Sequence, residues 1–124
     1  MTCRACTHGN TNLCDNLVQL YGGGPQGRHF GGFCTHMQID KHWAIPIPQG
    51  LDLREIAPLM CAGGTVYNPI KKFGRPGKKV AVIGIGGLGH LAIQYANKLG
   101  MKVTAFTTKV HDFKPLQEFG ADSA

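Results

Sequence analysis

Six residues between two apolar segments have the types and spacing of a phosphate-binding loop. The sequence GIGGLG at 84–89 is a G-x-G-x-x-G motif. In such a motif the first glycine permits a tight turn, the second lets the backbone approach a pyrophosphate, and the third allows the following helix to pack closely. The helix N-terminus offers free N–H groups and a positive dipole end to the phosphates. The motif predicts dinucleotide binding, the alternative being a turn that is only rich in glycine. The predicted pyrophosphate-binding residues are Gly84, Ile85, Gly86, Gly87, Leu88 and Gly89.

The residues about 20 positions further on bear on which dinucleotide binds. An NAD site usually places an Asp or Glu there, to hold the ribose 2′-OH. This chain instead has Thr107, Thr108 and Lys109, and the first acidic residue afterwards is Asp112. Hydroxyls and a lysine suit the 2′-phosphate of NADP, whose charge a carboxylate would repel. The segment therefore favours NADP, and the alternative is an ordinary polar strand end with a solvated lysine.

Three cysteines near the N-terminus have metal-ligand spacing. Cys3, Cys6 and Cys14 lie in the polar sequence CRACTHGNTNLC. Short loops that bring thiolates together suit tetrahedral Zn²⁺, which structural sites hold with four ligands. Since this loop contains only three cysteines, we expect weak zinc binding, with water or His8 in the fourth position. The alternative is a loop with spare thiols.

Apolar periodicity predicts the elements that position these residues. The apolar run at 80–83, β-branched apart from Ala81, is typical of a parallel strand buried on both faces. Apolar residues at helical spacing follow it, and then a second apolar run, which together make a β-α-β unit. We also expect a cysteine loop over 1–16, an irregular segment to residue 50, a buried Cys34 and a short helix after Pro115. The predicted strands are Phe33–Ile39, Trp43–Pro46, Lys79–Ile83 and Lys102–Thr107, and the predicted helices are Leu53–Met60, Thr65–Phe73 and Leu88–Leu99.

Composition limits the class of protein. The 124 residues are one domain's worth of chain, and 18 glycines indicate a turn-rich fold instead of a helical bundle. The net charge is +6, and residues 61–124 carry nine basic and three acidic side chains. The basic cluster at 71–79 has no aromatic-interleaved stripe or DNA-reading motif beside it, which favours a solvated surface over a nucleic-acid site. Neither a long apolar run nor a signal-peptide pattern is present, so we expect no membrane partner and a cytoplasmic protein.

Taken together, the motifs resemble the zinc-dependent medium-chain alcohol dehydrogenases, most closely the cinnamyl alcohol dehydrogenase-like branch. The matching segments, in chain order, are CRACTHGNTNLCDN, GGFCTHMQID, IAPLMCAGGTVYNPIKKFG, GKKVAVIGIGGLGHLAIQYANKLGMKVTAFTT and EFGAD. The combination of APLMCAG-x-TVY with GIGGLGHLA-x-Q is specific for that branch. The resemblance therefore extends over nearly the whole chain.

The resemblance implies an α/β fold made of two partial domains. Residues 61–124 would be the first β-α-β of a parallel Rossmann sheet, attached to part of a GroES-like, β-rich catalytic domain at 1–60. It implies an oxidoreductase that transfers hydride between NADP(H) and a small alcohol or aldehyde, with zinc as a second cofactor and a homodimeric assembly. In such enzymes the cysteine of the CAG segment ligates the catalytic zinc and the following threonine lies near the nicotinamide. The matching positions are Cys61 and Thr65 for these roles, Gly84 to Gly89 for the pyrophosphate, Thr107 and Thr108 for the 2′-phosphate, and Cys3, Cys6 and Cys14 for three of four structural-zinc cysteines.

Departures from the family pattern lead us to expect an internal fragment that is inactive alone. The structural site of the family, C-x2-C-x2-C-x7-C, would place its first cysteine three residues before Cys3, and the other catalytic-zinc ligands lie further upstream. Cys61 alone cannot hold a catalytic zinc, which needs three protein ligands and an open position. The family also tends to carry a lysine where this chain has Asp112, with Lys109 as a compensating cation. Two alternatives stay open: a short protein that only binds a nucleotide or dimerises, and a remnant without function.

Overall fold

In the computed structural model the chain is described over residues 2–23, 29–108 and 113–124. It divides into two compact units, Met1–Pro46 and Ile47–Ala124. The division into catalytic and nucleotide-binding domains at residues 60 and 61 stays a prediction. Among the described residues, no helix is both long enough and apolar enough to span a bilayer.

The first unit consists of turns and short helical segments. Its described residues contain helix α1 (Arg4–Thr7) and two 3₁₀ turns, at Thr11–Leu13 and Lys41–Trp43. Tyr21 and Phe30 form an isolated antiparallel bridge. The cysteine loop predicted over 1–16 therefore contains one helical turn and one 3₁₀ turn.

The two strands predicted in this unit are wrong. Residues 33–35 form bends, and residues 41–43 form a 3₁₀ turn whose N-terminus is capped by the Asp40 carboxylate, which accepts from the His42 N–H at 2.8 Å. Among the described residues, this alternation of apolar and polar side chains has no neighbouring strand to pair with, and the Phe33 side chain is 85% exposed. The burial expected for Cys34 is wrong for the same reason: its thiol is exposed and lies 3.2 Å from the Gly31 carbonyl.

The helical predictions at the start of the second unit are confirmed, but the structure joins the two helices. Helix α2 (Leu53–Pro58) continues through a π turn at Leu59–Gly63 into helix α3 (Gly64–Phe73). The Asp52 carboxylate caps α2 by accepting from the Arg54 N–H at 2.9 Å. The wider π turn begins directly after Pro58, which has no N–H to donate to the i→i−4 ladder.

The predicted β-α-β unit is confirmed. Strand β1 (Lys79–Ile83) leads into helix α4 (Gly89–Lys98), which returns to strand β2 (Lys102–Phe106). The strands pair in parallel, with Val80 opposite Val103. Helix α5 (Lys114–Glu118) follows at the predicted place. Beyond β2, Ser123 forms a parallel bridge to Thr104, so the sheet extends on the side away from β1.

The core of the second unit lies on one face of this sheet. Helices α4 and α5 cover that face, and the side chains of Ile93 and Val103 are fully buried. The expectation that β1 is buried on both faces is wrong: Ala81 is exposed and Ile83 is 84% exposed. Alternate strand residues point to opposite faces, and the described helices cover only one of them. The buried apolar residues are Val82, Ile93, Ala96, Met101, Val103, Ala105, Leu116 and Ala121.

Candidate functional site

The glycine motif forms the turn between β1 and α4. Gly84 has φ +85°, a conformation that favours glycine, and its N–H donates to the Phe106 carbonyl at 2.9 Å. This bond ties the turn to the end of β2. A Cβ on Gly89 would collide with the Gly84 carbonyl, so a glycine lets α4 begin this close to the strand. At Gly86 and Gly87 an added Cβ would meet no heavy atom within 4 Å, which leaves open space in front of the helix.

That open space faces the N-terminus of α4, where an anion is favoured. No side chain caps the helix at Leu88. The first N–H groups of a helix have no partner within the helix, and together with the helix dipole they attract negative charge. The residues present at this turn therefore fit a pyrophosphate.

The threonines predicted to contact the 2′-phosphate lie beside this turn. Thr107 follows Phe106, whose carbonyl accepts the Gly84 N–H, so the turn and the start of the threonine segment adjoin. Thr107 is half-buried and Thr108 is exposed. Lys109 and Asp112, the other two residues of this prediction, lie outside the described residues.

Cys61 lies in the π turn between α2 and α3, and its side chain is exposed. The Thr65 hydroxyl donates to the Cys61 carbonyl at 2.9 Å, so it is occupied within the helix. Helix α4 holds this segment through Tyr95: a Cβ on Gly63 would lie 2.9 Å from the Tyr95 hydroxyl oxygen, and the Tyr95 and Tyr67 rings meet edge to face at 5.8 Å. In the described part of the chain Cys61 belongs to no group of three or more possible metal ligands.

The structure brings the three N-terminal cysteines together. The Cys3 sulfur lies 3.5 Å from that of Cys6 and 3.9 Å from that of Cys14, and all three thiols are free and half-buried. Zn–S bonds of about 2.3 Å at tetrahedral angles place thiolate sulfurs about 3.8 Å apart. The cluster therefore fits three corners of a zinc site. Of the two alternatives for the fourth position, water or His8, the structure does not bring His8 into this group, and the His8 Nδ1 lies 2.8 Å from the Arg4 carbonyl oxygen.

Cys3 and Cys6 differ in acidity because their surroundings differ. Hydrogen bonds from the backbone N–H groups of Cys6 and Asp15, and from the Cys6 thiol, lower the pKa of Cys3 to about 7. Burial, followed by the neighbouring sulfurs, raises the pKa of Cys6 to about 11. A metal ion that binds here must displace a proton from Cys6, so its binding weakens as the pH falls.

A histidine in the first turn of α4, outside the glycine motif, contacts the glycine turn. His90, in the first turn of α4, has its Nδ1 3.0 Å from the Gly86 carbonyl oxygen, and its ring lies 5.6 Å from the Phe119 ring. The signal available in the sequence is a histidine four residues after a motif glycine, at the spacing of one helical turn.

A parallel β-α-β unit with a G-x-G-x-x-G turn defines a Rossmann-type dinucleotide-binding fold. Comparison with known proteins shows which proteins the chain is similar to. No family model matches the chain. It is 39% identical over 128 residues to cinnamyl alcohol dehydrogenase 8 of Arabidopsis thaliana and 40% identical over 122 residues to aldehyde reductase AdhA of Synechocystis sp.. Each match covers 98% of this chain and 35% of the relative.

Solved structures give the same result. The CAD of Helicobacter pylori, complexed with NADP(H), matches with a TM-score of 0.85 at 30% identity, covering 98% of this chain and 37% of that one. A cinnamyl alcohol dehydrogenase of Sorghum bicolor matches with a TM-score of 0.84 at 36% identity, covering 98% and 36%. Over nearly its whole length the chain is similar to cinnamyl alcohol dehydrogenases and other medium-chain alcohol dehydrogenases, and it spans about a third of the length of the relatives it matches. The predicted resemblance and fold class are confirmed.

Proposed function

We propose that this chain forms the dinucleotide-phosphate site of an NADP(H)-dependent zinc alcohol dehydrogenase that interconverts small alcohols and aldehydes. The observation that carries the proposal is the turn at 84–89. Its first glycine is tied to β2, its last lets α4 approach, and its middle is open to an anion. The relatives at 39–40% identity are named as alcohol dehydrogenases and an aldehyde reductase.

In this proposal the chain binds and orients the dinucleotide. The open N–H groups at the start of α4 hold the pyrophosphate, and Thr107, Thr108 and Lys109 receive the 2′-phosphate. The charge distribution supports an anionic ligand, because the sequence from 56 to 111 contains no acidic residue. The position that would hold a ribose 2′-OH in an NAD site has no carboxylate in this chain.

We assign two zinc roles to the cysteines. Cys3, Cys6 and Cys14 would hold a structural zinc, which their sulfur spacing supports. Cys61 would contribute one ligand to a catalytic zinc, which acts when bound as a Lewis acid on the substrate oxygen. That zinc needs three protein ligands, and the described residues offer one, so we expect the 124-residue chain alone to bind dinucleotide without hydride transfer.

Assembly and compartment belong to the same proposal. Five free cysteines suit a reducing compartment, and we place the protein in the cytoplasm. A homodimer is carried over from the resemblance, and sedimentation of the purified chain tests it.

Calorimetric titration of the purified chain tests the dinucleotide site. We expect NADPH to bind more tightly than NADH, and Gly86→Ala to weaken NADPH binding at least about tenfold, because its methyl group occupies the open space where the pyrophosphate would lie. Gly64→Ala is the matched control: it also meets no neighbour, but lies in α3 away from the turn. No binding of either dinucleotide by a folded parent, or equal losses in both variants, contradicts the proposal.

A further inference from the structure

His90 makes an unusual contact with the glycine turn. The Gly86 carbonyl oxygen accepts from the His90 backbone N–H at 3.1 Å and from its Nδ1 at 3.0 Å. A carbonyl oxygen can only accept, so Nδ1 is the ring nitrogen that carries the hydrogen. Both lone pairs of this oxygen are thus engaged by one residue.

This contact fixes the orientation of the peptide that links Gly86 and Gly87. The peptide is trans and planar, so its C=O and N–H bonds point in opposite directions. Its oxygen points into α4, toward His90, and its N–H therefore points out of the helix N-terminus into the open space. Because Gly86 and Gly87 have no side chains, the backbone on both sides of this peptide rotates easily. The hydrogen bond from the His90 Nδ1–H to the Gly86 oxygen restricts the rotation that would turn the Gly87 N–H away from the open space.

The imidazole is itself held from outside the helix. Its ring lies 5.6 Å from that of Phe119, inclined by 56°, at the end of α5. Helix α5 is anchored in the core by Leu116, which is 2% exposed. The orientation of the glycine turn is thereby connected to the packing of a second helix.

We propose that His90 is a positioning residue for the dinucleotide: its Nδ1–H holds the Gly86–Gly87 peptide with the Gly87 N–H directed at the pyrophosphate. The inference rests on the proposed dinucleotide site and adds to it a specific residue outside the glycines. It requires the side-chain hydrogen bond and not merely an aromatic ring at this position.

Two variants of the full chain separate these requirements. His90→Phe keeps a ring against Phe119 and removes the N–H donor, whereas His90→Asn keeps a donor the same number of bonds from the backbone and removes the ring. We expect His90→Phe to weaken NADPH binding about two- to tenfold, the equivalent of one ordinary hydrogen bond, and His90→Asn to bind within about twofold of the parent. Adenosine 2′-monophosphate, which lacks the pyrophosphate, should bind all three proteins equally.

A ligand-free measurement distinguishes failure of this inference from failure of the proposed function. The ¹⁵N order parameter of the Gly87 N–H should fall from about 0.85 in the parent and His90→Asn toward about 0.6 in His90→Phe. Unchanged NADPH affinity and order parameter in His90→Phe overturn the inference, as do equal losses for both ligands, which indicate a general structural role. If the parent binds no dinucleotide while the order parameters change as expected, the proposed function fails and the rigidifying role of His90 stands.

Discussion

The close approach of α4 to the strand turn gives a quantitative test of the site. In Gly89→Ala the new methyl group points at the Gly84 carbonyl, with the Ile85 Cδ1 3.6 Å away. Because the obstacle is backbone, the helix must move as a body. Helix α4 carries Ile93 and Ala96, both fully buried, so any shift also disturbs the core.

The expected loss of stability follows from two opposing effects. Inserting a methyl group into a closely packed site costs about 1–3 kcal/mol. Replacing glycine by alanine restricts the unfolded chain, which returns about 0.4–1 kcal/mol. We therefore expect Gly89→Ala to lower the free energy of unfolding by about 1–2 kcal/mol, equivalent to a fall in Tm of about 5–15 °C for a unit of this size. Gly86→Ala also restricts the unfolded chain, but it inserts no methyl group into a packed site. Its free energy of unfolding should therefore equal or slightly exceed that of the parent.

Urea denaturation followed by circular dichroism at the helix band measures both variants. The two variants should differ: Gly89→Ala loses stability, whereas Gly86→Ala keeps its stability but loses NADPH affinity. If Gly89→Ala is as stable as Gly86→Ala, then α4 does not lie against the Gly84 carbonyl and the packing role of the third glycine is refuted.

Three further predictions concern the threonine segment and the cysteines. In the parent, two or three charge-assisted hydrogen bonds to the 2′-phosphate should favour NADPH over NADH by about tenfold to a thousandfold. Thr107→Asp should invert this preference, whereas Thr107→Val should only reduce it. Equal affinities of the parent for NADPH and NADH contradict the assignment. In a competition titration with a chelator, the parent should bind zinc weakly. Cys14→Ser should weaken zinc binding more than about tenfold, while Cys34→Ser should leave it unchanged. A stoichiometric zinc ion that the chelator does not remove contradicts the expected weak binding. In the metal-free chain, iodoacetamide should modify Cys3 increasingly as the pH rises through about 7, because the thiolate is the nucleophile. Cys6, with a pKa of about 11, should react only in more alkaline solution. If the modification rates of both cysteines rise with the same midpoint pH, the predicted difference in pKa is contradicted.

The β-α-β unit was predictable because its local patterns agree with its packing. Strand β1 has the predicted bounds, and α4 begins and ends within one residue of its prediction. Each apolar run here meets a partner close in sequence: β2 pairs with β1 across a single helix. Under these conditions, periodicity and the glycine motif lead to the same fold.

The strands predicted in the first unit show what such patterns omit. An alternating sequence specifies which side chains share a face, but a strand forms only where another strand accepts its hydrogen bonds. The described residues from 33 to 46 have no such neighbour, and they form bends and a 3₁₀ turn instead. The bridge between Tyr21 and Phe30 is the one place in this part of the described chain where backbone pairing occurs.

The candidate site also contains both residues that sequence spacing predicts and residues that it does not predict. The glycine positions were predictable because their role depends on backbone conformation and on the absence of a side chain, both of which a spacing motif encodes. The contact of His90 with Gly86 also depends on a rotamer held by Phe119, almost 30 residues away, which the four-residue spacing alone does not specify. The clustering of Cys3, Cys6 and Cys14 was predictable from spacing, whereas the engagement of His8 with its own helix was not.

Helix α4 connects the two parts of the proposed site that lie in the second unit. Its N-terminus forms the phosphate end of the glycine turn, and six residues further along, Tyr95 packs against Gly63 beside the exposed Cys61. The rise of 1.5 Å per residue places these two contacts about 9 Å apart along the helix axis. A single rigid element therefore sets the distance between the segment proposed to ligate the catalytic metal and the turn proposed to hold the dinucleotide. Since the glycine at 63 allows the tyrosine to approach and the glycine at 89 allows the helix to approach the strand, both distances depend on the absence of a side chain.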